Sequence, residues 1–161
     1  MTNFYSRRTV KWEDGKVVLI DQTKLPNNFI YIRCNNYNEV AQAIRTLAVR
    51  GAPAIGATAA FGLALAAKHS KAKNKVELLT DLEEASDVIK NTRPTAMNLF
   101  WALQRVMNLV KKTKGNVKKL VEVAKDEAIK IAEEDVQVNH VLGKIGAKLF
   151  DHGDIVLTHC K

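Results

Sequence analysis

The spacing of apolar residues changes period near residue 38. Before it, Thr9-Val10-Lys11-Trp12 and Lys16-Val17-Val18-Leu19-Ile20 flank Glu13-Asp14-Gly15, a pattern that predicts a hairpin. A third extended run, Phe29-Ile30-Tyr31-Ile32, follows Pro26-Asn27-Asn28. Three strands joined this closely predict a small antiparallel sheet. From Asn38 the spacing is helical: Val40, Ile44, Leu47 and Ala48 share one face, with Asn38 as the expected N-cap. Further helices are predicted from Pro53 to about His69, from Lys75 to Asn91 and from near Thr95 to Lys112.

Gly115-Asn116 then introduces a long last helix. Its apolar stripe steps by four and three through Val117, Val121, Ala124, Ala128, Ile131, Val138, Leu142, Ile145 and Leu149. The one gap in that stepping falls on Asp135. A carboxylate on such a stripe is either paired within the core or turned toward a polar cleft. Asp151-His152-Gly153-Asp154 should end the helix, and Ile155-Val156-Leu157-Thr158 reads as a buried strand. An apolar strand with no helix after it is the opening of an α/β layer, so a further domain is expected to begin there. The fold class expected is α+β and mainly helical. Residues 1–37 form the sheet region, 38–152 the helical domain, and 153–161 the start of the next domain.

Composition narrows the function classes. In 161 residues, 47% are hydrophobic and only 8 are Gly and 3 Pro, which excludes a disordered or collagenous chain. The longest uncharged run, Gly51 to Ala67, is 17 residues of mostly Ala and Gly, too short and weakly apolar for a membrane span. No signal-peptide core opens the chain, and two cysteines 126 positions apart cannot form a disulfide framework. A cytoplasmic protein is expected. The net charge of +8 comes mainly from 18 Lys, clustered at Lys68–Lys75 and Lys111–Lys119 where predicted helices end and restart. Aromatics do not interleave with these clusters, so a solvated surface explains them better than a nucleic-acid partner.

Four segments could carry chemistry. Arg50-Gly51-Ala52-Pro53 sets a cation and an unhindered glycine before a helix start, where outward N–H groups and the helix dipole favour an anion. The same residues would also make an ordinary turn with a surface Arg. Arg93-Pro94-Thr95 repeats the arrangement, with Thr92 as a possible cap and Asn98 one turn on. Gly56 and Gly62 fall inside a helix, where each costs about 1 kcal/mol relative to Ala, and so predict close packing by a neighbour. Cys160, at the end of the last predicted strand, could be a polarising donor, an acid/base, a nucleophile, or simply a small buried residue. Cys34 is expected to be structural, and no histidine spacing suggests a metal site.

Five blocks occur in order: Asp21-Gln22-Thr23-Lys24-Leu25-Pro26; Val49 through Gly56 (VRGAPAIG); Arg93 through Leu103 (RPTAMNLFWAL); Glu134-Asp135; and Leu157-Thr158-His159-Cys160. Together they resemble the amino-terminal half of the methylthioribose-1-phosphate isomerase family. Ribose-1,5-bisphosphate isomerases and regulatory subunits of the initiation-factor-2 exchange factor are relatives of that family. The resemblance implies a small sheet, a helical domain and a Rossmann-like domain that begins at the last strand. It implies an aldose–ketose isomerisation of a phosphorylated pentose, 5-methylthioribose 1-phosphate, in methionine salvage. Neither metal nor organic cofactor is implied, and the full-length protein would be a homodimer. Arg50, Gly51, Ala52 and Arg93 would bind substrate, and Cys160 would assist catalysis. The family's catalytic aspartate falls beyond this sequence. A non-catalytic, translation-factor-like interaction module and a ribose-1,5-bisphosphate isomerase are the competing expectations.

Overall fold

A computed structural model describes residues 7–157. Strands β1 (Val10–Glu13), β2 (Lys16–Ile20) and β3 (Tyr31–Cys34) form an antiparallel sheet in the order β1-β2-β3. The hairpin turns at Asp14 and Gly15, both with positive φ. The third strand lies two residues later than its apolar run suggested, because β2 sets the register. Its pairs run from Val17 with Cys34 to Ile20 with Tyr31, so Phe29 and Ile30 have no strand residue opposite. Instead the Ile30 carbonyl accepts the Asp21 N–H at 2.9 Å and closes the loop.

Five helices follow: α1 (Tyr37–Arg45), α2 (Ala52–His69), α3 (Lys75–Lys90), α4 (Met97–Lys112) and α5 (Val117–Gly146). Helix α1 is capped by Asn36 rather than Asn38. Asn36 has extended backbone and its Oδ1 accepts the Glu39 N–H at 3.0 Å, whereas Asn38 is already helical. Leu47, expected on the α1 face, lies past the helix end with φ +62° and is exposed.

Helix α2 is the centre of the molecule. From Ile55 to Ala67 every residue is buried, so the helix is apolar all round rather than striped. Its one polar interior side chain, Thr58, donates from Oγ1 to the Ala54 carbonyl at 2.6 Å. The small residues let neighbours approach. A Cβ on Gly56 would stand 3.0 Å from the Asn98 carbonyl oxygen, and one on Gly62 would stand 2.7 Å from Ile89 Cδ1. Close packing thus accounts for both glycines. The sheet covers another side of α2, with Trp12 against Phe61 at 6.1 Å between ring centroids. Cys34 joins this core fully buried, and burial pushes its thiol up to about 11, as suits an inert structural cysteine.

Two expectations for the end of the chain change. Helix α5 stops at Gly146 and passes through a short 3₁₀ turn (Ala147–Leu149), so Asp151 lies outside it. Among the described residues, 155–157 pair with no strand, and Ile155 and Leu157 are almost fully exposed because none of those residues covers them. Thr158 lies outside the described residues. The apolar stripe of α5 is likewise split: Leu120, Ala124, Ala128 and Ile131 are buried, while Val138, Leu142, Ile145 and Leu149 stand in solvent. No described helix is long and apolar enough to cross a membrane.

Candidate functional site

Helix capping separates two of the helices from the rest. Asn36, Asn74 and Asn116 cap α1, α3 and α5, each accepting the backbone N–H three residues on at 3.0 Å. Helices α2 and α4 begin without any side-chain cap. These are the two starts preceded by Arg50 and by Arg93. The start of α4 packs beside the start of α2, since the backbone of Asn98, second residue of α4, rests on Gly56 in the second turn of α2. First-turn N–H groups left uncapped at a shared end are the arrangement that binds oxyanions.

The turn into α2 is built by glycine. Gly51, its N-cap residue, has φ +91° and ψ +129°, a conformation open to glycine and strained for any side chain. Apart from its two chain neighbours, no described residue comes within 4 Å of where its Cβ would be, so the approach to this backbone is open. Arg50 and Ala52 are exposed beside it. The Asp21–Pro26 loop holds the turn from below: the Gln22 N–H donates to the Ala48 carbonyl at 2.9 Å, and Gln22 Nε2 to the Arg50 carbonyl at 3.2 Å. Asp21 fixes that loop by accepting from the Thr23 N–H and hydroxyl. Gln22 is a positioning group that residue patterns alone do not single out.

Around Arg93 the structure differs from expectation. Thr92 does not cap α4; its buried hydroxyl donates to the Ile89 carbonyl at 2.6 Å and closes α3. Pro94 lies in a turn, where the Ala96 N–H bonds the Arg93 carbonyl, and α4 opens only at Met97. The reason is local: Ile89 and Lys90 still have carbonyls to satisfy, and the residues after them supply the donors. Arg93 is half-buried in this turn.

Below the paired helix starts lies a groove of roughly 240 Å3 lined by Pro53, Gly56, Asn98, Trp101, Ile131, Glu134, Asp135 and Val138. Asp135 also lines a second groove, between β1, α2 and α5. Its carboxylate, 3.1 Å from the Asn139 amide, thus faces clefts on the helix surface. Of the two readings of Asp135, the cleft is the one that holds.

Arg105 fastens this wall. From α4 it donates to both carboxylate oxygens of Glu134 and to Glu127, all on α5, and its guanidinium lies 5.3 Å from the Trp101 ring. The Arg105 hydrogen bonds hold the Glu134 carboxyl below its usual range, and the same bonds raise the guanidinium. A carboxyl lowered in the folded state stabilises above its unfolded value, and that contribution is lost as pH falls through the folded value. Arg105→Met should therefore cost about 1 kcal/mol at pH 7, since Glu134 is partly exposed. Urea midpoints of Arg105→Met, Glu134→Gln and the double variant check this. A coupling that stays unchanged once Glu134 has been protonated would rule out the ion pair as its source.

Cys160 lies outside the described residues. Among the described residues, no group of three His, Cys, Asp or Glu is placed to hold a metal ion.

Known proteins share this sequence and this geometry. The chain is 46% identical over 152 residues to methylthioribose-1-phosphate isomerase of Thermosipho africanus, an alignment covering 94% of this chain and 44% of that protein. The crystal structure of 5-methylthioribose 1-phosphate isomerase from Pyrococcus horikoshii superposes with a TM-score of 0.87 at 46% identity, covering 91% of this chain and 41% of that one. The crystal structure of the translation initiation factor eIF-2B, subunit delta, from A. fulgidus superposes at 0.89 with 47% identity, covering 97% and 45%. The chain spans less than half the length of these proteins. Since the family model for initiation factor 2 subunits matches residues 48–161, covering α2 to α5 and the groove they form, the chain belongs to the initiation factor 2 subunit family.

Proposed function

We propose that this chain forms the amino-terminal part of a methylthioribose-1-phosphate isomerase and binds the sugar phosphate at the paired starts of α2 and α4. The observation that carries this reading is the pairing itself. Two uncapped helix N-termini share one end, with Gly51 opening the backbone and an Arg before each. An oxyanion there meets backbone donors, the helix dipoles and guanidinium groups that can bond it bidentately. The names of the similar proteins supply the substrate class, a phosphorylated pentose.

The isomerisation moves a proton and an electron pair between the first two sugar carbons after the ring opens. A thiol at Cys160 beside them could exchange a proton with the oxygen that gains charge. The remaining groups belong to the part of the relatives' length that this chain does not span. We propose that this part begins its domain at 153–161 and packs on the exposed ridge Val138, Leu142, Ile145 and Leu149. Under this reading the completed protein works in the cytoplasm as a homodimer, without metal or organic cofactor.

The test is conversion of 5-methylthioribose 1-phosphate by the chain alone and by the chain joined to the downstream part of the Thermosipho africanus relative. The joined protein should turn over and the chain alone should not. Full turnover by the chain alone overturns the two-part account. The likeness to the initiation-factor structure favours a second reading, a non-catalytic interaction module, which requires that the joined protein have no sugar-phosphate affinity. In the joined protein, Arg93→Ala should raise KM roughly 10- to 100-fold by removing a charge-assisted bond. An unchanged KM would make Arg93 a surface residue only.

A further inference from the structure

Helix α2 runs from Gly51 to the opposite end of the bundle, about 27 Å away at ~1.5 Å of rise per residue. There α2 and α4 end and α3 and α5 begin, and contacts hold the four ends together. Lys75, which opens α3, donates from Nζ to the Lys111 and Thr113 carbonyls at 2.6 and 2.8 Å. Lys68, in the last turn of α2, donates to the Gly15 carbonyl of the hairpin at 2.7 Å, and the two residues share a groove with Val121 and Glu122 of α5. Two lysine clusters far apart in sequence thus become one surface. Residues 66–77 and 109–122 hold nine of the chain's 18 Lys and two of its 17 acidic residues. The carboxylates that reach this end from α3 and α5 are engaged. Glu77 accepts from the Lys73 N–H and from Asn74, Asp81 accepts from Ser70, Glu83 pairs with Lys111, and Glu122 with Lys125. Lys71, Lys73, Lys112, Lys114, Lys118 and Lys119 are exposed, and no described residue pairs with them as an ion.

Helix stability accounts for only part of this charge. Lys68, Lys111 and Lys112 lie in last turns, where the helix dipole favours a cation. Lys118 and Lys119 lie in the first turn of α5, which has no acidic residue, and there the dipole repels a cation. Charge held against the interest of its own helix marks a surface shaped for something outside the fold. We propose that this basic end binds the phosphate backbone of duplex nucleic acid without reading its sequence. Along the chain the two clusters are separate solvated connections; folding merges their fields, at the end of α2 away from the sugar-phosphate site. Ammonium groups on flexible stems suit a dense line of phosphates, one per ~1.7 Å of duplex axis, as point charges. Neither segment contains a Phe, Trp or Tyr on which unpaired bases could stack, which favours a duplex over a single strand. The most exposed apolar side chain of this surface is Val76, and a lone valine is no anchor for a bilayer.

Fluorescence anisotropy tests this by titrating the chain into a labelled DNA duplex of ~20 base pairs, into its single strand, and into labelled phosphatidylserine vesicles. The duplex should bind, with affinity falling roughly 100- to 500-fold between ~50 and ~200 mM salt, as about four or five neutralised phosphates require. A duplex of unrelated sequence should bind alike. The double variant Lys118→Gln/Lys119→Gln should bind at least ~10-fold more weakly at ~50 mM salt and lower the slope of log affinity on log salt by about 2, with no fall in the urea midpoint. Lys144→Gln/Lys148→Gln removes the same charge around the far end of α5 and should leave affinity within about twofold. Equal losses in the two double variants would reduce the effect to net charge and overturn the proposal. Tighter binding of the single strand, or binding of vesicles without the duplex, overturns it as well.

Discussion

Replacing Gly62 by Leu should lower the urea midpoint of this chain by about 1–2 M. Gly62 lies within the buried stretch of α2 at the point where α1 and α3 both press on it. Its missing Cβ would stand 2.7 Å from Ile89 Cδ1 and 3.1 Å from Val40 Cγ1. Both neighbours are themselves fully buried, so neither has solvent to move into. Leu would add three carbons beyond that Cβ, and α2, buried on every side, cannot retreat. The cost, about 3–4 kcal/mol, is a large part of the 5–15 kcal/mol that holds a typical domain together. Gly62→Ala bounds the effect. The end of Ile89 can turn aside for a single methyl, and Ala gains about 1 kcal/mol of helix propensity, so its midpoint should change far less. A Leu variant with the parent midpoint would show that the three helices are not in tight contact there.

The elements legible in the sequence are those whose signal is local. Hairpin β1–β2 follows from its own alternation and turn, and α3 and α5 start one residue after an Asn that caps them. The third strand is different. Phe29-Ile30-Tyr31-Ile32 is as apolar as any strand, but the length of β2 decides which residues find partners, and that is a property of the pair. The end of α5 fails for a related reason. Its stripe continues in step to Leu149, and periodicity records which face wants burial, not whether a partner exists to bury it. Ile155–Leu157 repeats the lesson for a strand.

At the site, Gly51 and the start of α2 are legible because proline suits the first turn of a helix and glycine just before it frees the backbone to enter at positive φ. Thr92 reads in the sequence as a cap for α4, since a hydroxyl near a helix boundary can serve either helix, and only the carbonyl of Ile89 at 2.6 Å decides which. Asp135 stands out as a break in an apolar rhythm, and its two grooves show why. Arg105 leaves no signal, and Gln22 shows only as one residue of the Asp21–Pro26 block, with nothing to mark its role. Each acts across a long stretch of sequence, Gln22 on the Arg50 carbonyl and Arg105 on Glu127 and Glu134, and no spacing rule links such residues.

Gly51→Ala should reduce sugar-phosphate affinity in the joined protein about 100-fold while leaving the helices in place. The substituted methyl itself meets no described residue beyond its chain neighbours within 4 Å. The penalty is in the backbone: at φ +91° and ψ +129° an L side chain is strained by about 1–3 kcal/mol, so the turn must rotate to relieve it. What yields is decided by burial. From Ile55 on α2 is locked in the core, whereas Arg50, Gly51 and Ala52 are exposed and held mainly by Gln22. The rotation therefore falls on the N–H groups and the guanidinium that would meet the phosphate, and a displacement near 1 Å is enough to lose most of their joint effect. Gly143→Ala is the matched control. It too has open space around the new methyl, but it lies in α5 with ordinary helical φ, so it should stabilise the chain by about 0.5–1 kcal/mol and leave binding alone. Titration with the sugar phosphate and urea unfolding of both variants give the comparison. If Gly51→Ala binds as tightly as the parent, the start of α2 is not where the phosphate sits.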